Sequence, residues 1–85
     1  MSCWLYILES EANGRFYVGI STNPERRLKH HNTTETGFTA RYRPWRLVFS
    51  QQFDSKREAQ TAERKIKDWK SRKMTRLVIE GTIEL

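Results

Sequence analysis

Two short runs, Leu5-Tyr6-Ile7 and Tyr17-Val18-Gly19, mix aliphatic and aromatic residues on either side of an Asn13-Gly14 pair. Asn-Gly between such segments favours a two-residue type I′ turn, so the pattern predicts a β-hairpin in which Leu8 faces Gly19 and Tyr6 faces Ser21. Side chains alternate along a strand. Tyr6, Leu8, Tyr17 and Gly19 then share one face, and Leu5, Ile7, Phe16, Val18 and Ile20 share the other. The second set is wholly apolar and reads as core. The tyrosines lie away from it, where Gly19 removes a side chain and lets something approach the backbone. A one-residue bulge would reverse the assignment. The plain alternative is that both tyrosines are ordinary strand residues, since tyrosine favours strands.

Beyond the hairpin, Ser21-Thr22-Asn23-Pro24-Glu25 reads as a helix start: a polar cap, a proline whose missing N–H costs nothing, and an acid in the first turn. The helix should run to about Asn32, with Arg27, Leu28 and His31 on one stripe. Asn32 to Arg43 reads as a loop. Trp45 to Phe53 reads as a third strand with Leu47, Phe49 and Phe53 on alternate positions. A long helix begins at Asp54 or Ser55, where Ser55 and Glu58 have capping-box spacing. Ala59, Ala62, Ile66 and Trp69 form its apolar stripe. Glu63 intrudes there, either as an i to i+4 partner of Lys67 or as the sole protein ligand of a divalent cation. Ser71-Arg72 break the helix before a short last one over Met74–Ile79, and Gly81 stops it. The fold class is α/β (α+β), a small three-stranded antiparallel sheet flanked by helices, in the order β-β-α-β-α-α.

Composition narrows what such a fold can do. At 85 residues, 36% of them hydrophobic, with a mean hydropathy of −0.82, the chain reads as one domain over 1–85 with a small core. Its single cysteine, Cys3, excludes an internal disulfide and a cysteine-rich zinc site, which fits a reducing compartment. With no basic leader and no long apolar run, a soluble cytoplasmic protein is expected, without a membrane partner. The formal charge of +6 and pI of about 9.9 suggest a polyanionic partner. Basic residues crowd two regions, Arg41, Arg43 and Arg46 around Pro44-Trp45, and the stretch from Lys56 to Arg76. Nucleic acid is the natural candidate; solvated helix faces are the plain alternative.

These residues together resemble the GIY-YIG nuclease domain, specifically its small stand-alone bacterial members related to the N-terminal domain of the excision-repair incision subunit. Leu5-Tyr6-Ile7 and Tyr17-Val18-Gly19 stand where the two triplets belong. Glu25-Arg26-Arg27-Leu28 with His31-Asn32, then Arg43-Pro44-Trp45-Arg46-Leu47-Val48, then Ala59, Glu63, Ile66 and Lys67, follow in order. Leu5 departs from the glycine of the family name. The resemblance implies a metal-dependent endonuclease acting on DNA, possible structure preference included, with Mg2+ or Mn2+ as cofactor. It implies that Tyr6 and Tyr17 line the site, that Arg27 faces the scissile phosphate, that His31 holds a position taken by tyrosine or histidine, and that Glu63 binds the metal. Gly19, Thr39, Arg41 and Lys67 are implied in substrate binding, and a monomer is favoured.

Chemistry gives reasons for these residue types. Phosphate-ester hydrolysis needs an activated water, charge stabilisation on phosphoryl oxygens and help for the leaving oxygen. A hard cation on a carboxylate serves as Lewis acid, and an arginine matches phosphate geometry in a way lysine does not. The general base is open among Tyr6, Tyr17 and His31. A non-catalytic nucleic-acid-binding module that keeps the fold is the alternative reading, and a protein-interaction adaptor a third.

Overall fold

A computed structural model describes residues 2–33 and 41–85. Three strands, β1 (Cys3–Ser10), β2 (Phe16–Ser21) and β3 (Trp45–Phe53), form an antiparallel sheet in the order β2-β1-β3. Helix α1 (Pro24–Thr33) follows the hairpin, and α2 (Lys56–Trp69) and α3 (Arg72–Ile79) follow β3. This is the expected β-β-α-β-α-α order. Strand β1 is central because it carries apolar side chains on both faces: Leu5, Ile7, Tyr6 and Leu8 are all buried.

The hairpin differs from its predicted register. Tyr6 pairs with Gly19 and Leu8 with Tyr17, two positions from the expected partners. The turn is longer than a type I′ turn because Ser10 N–H donates to the Arg15 carbonyl at 2.8 Å, leaving four residues between them. Ser10 organises that loop, its Oγ accepting from the N–H groups of Ala12 and Asn13 at 3.1 and 3.2 Å. Asn13 Oδ1 in turn accepts from Arg15 N–H at 3.0 Å, and Gly14 takes the positive φ, 76°, that closes the turn. A two-residue slip is even, so each side chain keeps its predicted face.

One core lies between the sheet and α2 and α3, where Leu5 and Ile7 meet Ala62, Ile66 and Val78, flanked by Phe16, Val18, Ile20, Phe49 and Phe53. The other lies under α1, where Tyr6, Leu8 and Trp45 pack with Tyr17, Leu28 and Leu47. The alternation expected for β3 fails between them. Ile7 pairs with Phe49 but Leu8 pairs with Leu47, so Val48 is an extra residue, a β-bulge. It turns Leu47 and Trp45 toward α1 while Phe49 and Phe53 stay with α2, and one strand serves both cores.

Local chemistry sets the helix ends. Ser55 caps α2, its side chain accepting from Glu58 N–H, and Lys70 closes the helix in the left-handed region at φ 48°. Ser71 then caps α3 by accepting from Met74 N–H. Gly81, at φ 82°, ends α3: its N–H donates to Val78 O at 3.1 Å and that of Thr82 to Leu77 O at 2.9 Å, a Schellman arrangement. Helix α1 is described as far as Thr33, past the expected limit of about Asn32. Among the described residues, no helix is long and apolar enough to cross a membrane.

Candidate active site

Tyr6 leaves the central strand on the α1 side, and its hydroxyl lies 3.0 Å from His31 Nε2. Both residues are buried, each 1% exposed. A methyl group at Gly19 would stand 2.7 Å from the phenolic oxygen and 2.8 Å from the carbon that bears it. The missing side chain at Gly19 therefore makes room for Tyr6, and the expected approach to that backbone is made by this phenol. Tyr17, two positions before Gly19 and half-buried, completes the cluster. Its ring centre is 4.7 Å from that of His31 and 6.3 Å from those of Tyr6 and Trp45.

Helix α1 delivers His31 because both its ends are tied down. At the start, Ser21 Oγ accepts from Asn23 N–H at 3.0 Å and Asn23 Oδ1 accepts from Arg26 N–H at 3.1 Å, the expected polar cap before Pro24. At the other end Asn32 acts as a one-residue strand partner for Trp45. Its Nδ2 donates to Trp45 O at 3.0 Å and its Oδ1 accepts from Trp45 N–H at 2.6 Å. Arg43 Nε adds a bond to the His31 carbonyl at 2.8 Å. Replacing Asn32 by alanine should remove both Trp45 bonds and lower unfolding free energy by about 1–2 kcal/mol in denaturant titration.

Arg27, one turn before His31, lines a polar cleft of about 290 Å3 together with Ser21, Asn23 and His30. Ser21 lies on the same face of β2 as Tyr17 and Gly19. Arg27 and His31 thus run along the same strand that carries the second tyrosine. The structure brings Tyr6, Tyr17, Gly19 and His31 into one cluster, and Arg27 stands one helical turn before His31.

Glu63 stands elsewhere. Helix α2 packs mostly on β1 and β2 from the other side of the sheet. Lys67 and Lys70 share a groove with Phe16 and Val18, whereas Arg57 and Thr61 lie with Phe53. The Glu63 margin of α2 therefore faces β2, an edge strand, and Glu63 and Tyr17 flank that strand from opposite faces. Glu63 Oε2 accepts from Lys67 Nζ at 3.1 Å, the i to i+4 pair expected as its plain alternative. Magnesium or manganese keeps much of its water and takes one or two carboxylates plus phosphate oxygens. A single, partly exposed carboxylate such as Glu63, its side chain 23% exposed, fits such a loosely held ion in place of its pairing with Lys67. Among the described residues, no three or more His, Cys, Asp or Glu side chains cluster as a protein cage. Arg41 is exposed, and Thr39 lies outside the described residues.

Asn32 and Trp45 belong to the ordered set that carries the resemblance, but their pairing had no signal in the sequence. An asparagine near a helix end and a tryptophan opening a strand each have many ordinary explanations, and only the tertiary pairing connects them.

The chain is similar to known proteins over nearly its whole length. The family profile described as the GIY-YIG catalytic domain matches residues 2–76. A UPF0213 protein of Staphylococcus saprophyticus is 34% identical over 79 residues, covering 92% of this chain and 95% of its own. A UPF0213 protein of Natronomonas pharaonis is 39% identical over 80 residues, 93% of each chain. A Giardia intestinalis protein named as a structure-specific endonuclease subunit SLX1 homolog is 41% identical over 51 residues, 55% of this chain but 14% of that one. The solution NMR structure of a UPF0213 protein from Bacillus halodurans superposes with a TM-score of 0.61 at 33% identity, covering 94% of this chain and 84% of that one.

Proposed function

We propose, from the premise that this chain belongs to the GIY-YIG catalytic-domain family of nucleases, that it is a divalent-metal-dependent endonuclease cutting phosphodiester bonds in DNA. The observation that carries this is the cluster of Tyr6, Tyr17 and His31 with Arg27 along the same edge strand. DNA branched or distorted at the cut is the substrate class suggested by the structure-specific relative.

Burial divides the labour among the candidate bases. Tyr6 and His31 are closed to solvent, so neither reaches a water in the cleft. Tyr17 is only half-buried, and it is the phenol to which we assign the water's proton. Tyr6 and His31 hold it from behind: their 3.0 Å bond fixes the imidazole against which the Tyr17 ring rests. Arg27 binds the phosphoryl oxygens with its planar fork and stabilises the charge that grows there. A cation held by Glu63, when bound, supplies Lewis acidity and stabilises the leaving oxygen.

One observation favours a second reading, a binding module without catalysis: Glu63 is already paired with Lys67, across the edge strand from the tyrosines. Incubation of purified protein with single-stranded and branched DNA, in magnesium or manganese and in chelator, separates the two. Cleavage that needs the metal and is lost in Glu63→Gln supports the enzyme. Salt-sensitive binding without cleavage in either metal identifies the module.

A further inference from the structure

Away from the tyrosine cluster, between β2 and the junction of α2 with α3, lies a groove of about 460 Å3. Lys67, Lys70 and Arg72 line it together with Arg15, whose guanidinium rests over the Tyr42 ring at 5.0 Å, and with the apolar Phe16 and Val18; no carboxylate lines it. Arg72 is held in place. Its guanidinium carbon lies 5.3 Å from the centre of the Phe16 ring, and one of its nitrogens sits 3.0 Å from where a Cβ on Gly14 would be. Arg76 approaches the same ring at 5.6 Å. Among the described residues, only Lys67 of the four lining cations has an acidic partner, Glu63. Surface arginines usually lie among acids that neutralise them. Cations braced on an aromatic face without a counter-ion keep their attraction for an outside anion.

The groove starts next to Glu63. From Glu63 to Lys70 helix α2 advances about 10 Å at ~1.5 Å per residue, long enough to meet more than one phosphate of a strand. We infer that this groove binds the sugar-phosphate backbone of the nucleic-acid strand leaving Glu63, carrying it past Lys70 to Arg72 at the hairpin turn. The lysines and arginines meet phosphate oxygens, and the apolar lining meets deoxyribose. The direction of the strand rests on the nuclease reading; the binding itself does not.

The test measures affinity in chelator, where no cleavage occurs, for a labelled single-stranded oligonucleotide across a salt series. Lys70→Gln with Arg72→Gln should weaken binding and flatten the slope of log K against log salt by roughly 1.4, two contacts at ~0.7 each. Arg57→Gln with Lys65→Gln, which remove the same charge from the opposite margin of α2, should leave the slope unchanged. Lys70→Gln alone, with an expected flattening of roughly 0.7, repeats the measurement on the same groove if the double variant unfolds. Equal flattening by the control pair, or polyglutamate competing as well as the oligonucleotide, would overturn the assignment. Cleavage lost with the slope difference intact removes the nuclease reading alone; cleavage retained without a slope difference removes the groove alone.

Discussion

Arg27→Lys should slow DNA cleavage by about 10²–10³-fold, the usual loss when one donor to a developing oxyanion is removed. Charge is conserved in this substitution, so what it tests is geometry. A guanidinium offers a planar fork that meets two phosphoryl oxygens at once, while an ammonium is a compact point charge on a flexible stem. Arg27 sits on the ordered stripe of α1 one turn from His31, in the cleft beside Ser21, so its fork is aimed by the helix. Lysine keeps the charge and most of the aliphatic stem at this half-buried position, so the melting temperature should stay near that of the parent. Single-turnover cleavage with saturating enzyme reads the effect. A rate within threefold of the parent would remove Arg27 from the role of phosphate clamp.

Gly19→Ala should cost about 3 kcal/mol of stability, at the upper end of what one added methyl does in a packed interior. The new Cβ would fall 2.7 Å from the Tyr6 oxygen and 2.8 Å from its ring carbon, distances that real Cβ atoms do not tolerate. Tyr6 cannot retreat easily: it is buried on the central strand and bonded to His31. Relief requires moving the ring, which breaks that bond and unseats His31 beside Tyr17. Denaturant titration reads the stability, and near-ultraviolet circular dichroism reads the displaced tyrosines. A change within about 0.5 kcal/mol, the range of neutral surface substitutions, would show that the phenol is not confined by Gly19.

The elements that were legible in the sequence are those written by local chemistry. Ser55 and Glu58 announce α2, Asn23-Pro24 announces α1, and Gly81 ends α3, because caps act within one turn of the chain. Facing in the hairpin was legible as well, although its register was not. Ser10, whose side chain gathers two loop N–H groups and donates to the Tyr42 carbonyl, lengthens the turn in a way that an Asn-Gly signal does not reveal. The bulge at Val48 was hidden because Leu47, Val48 and Phe49 are all apolar, and alternation carries no information through such a run. The candidate site was readable as a set of residues through family resemblance. Its arrangement was not: helical spacing puts Glu63 beside Lys67, but which side of the sheet α2 covers is decided by the core that Ala62 and Ile66 bury.

The turn between β1 and β2 exceeds the predicted length by an even number of residues, and both tyrosines still reach the face they share with α1. Length at this turn is therefore filtered by parity rather than by size. Insertions or deletions of two residues slide one strand along the other and leave the two surfaces of the sheet chemically distinct, whereas a single residue exchanges them, bringing Phe16 and Val18 out and Tyr17 in.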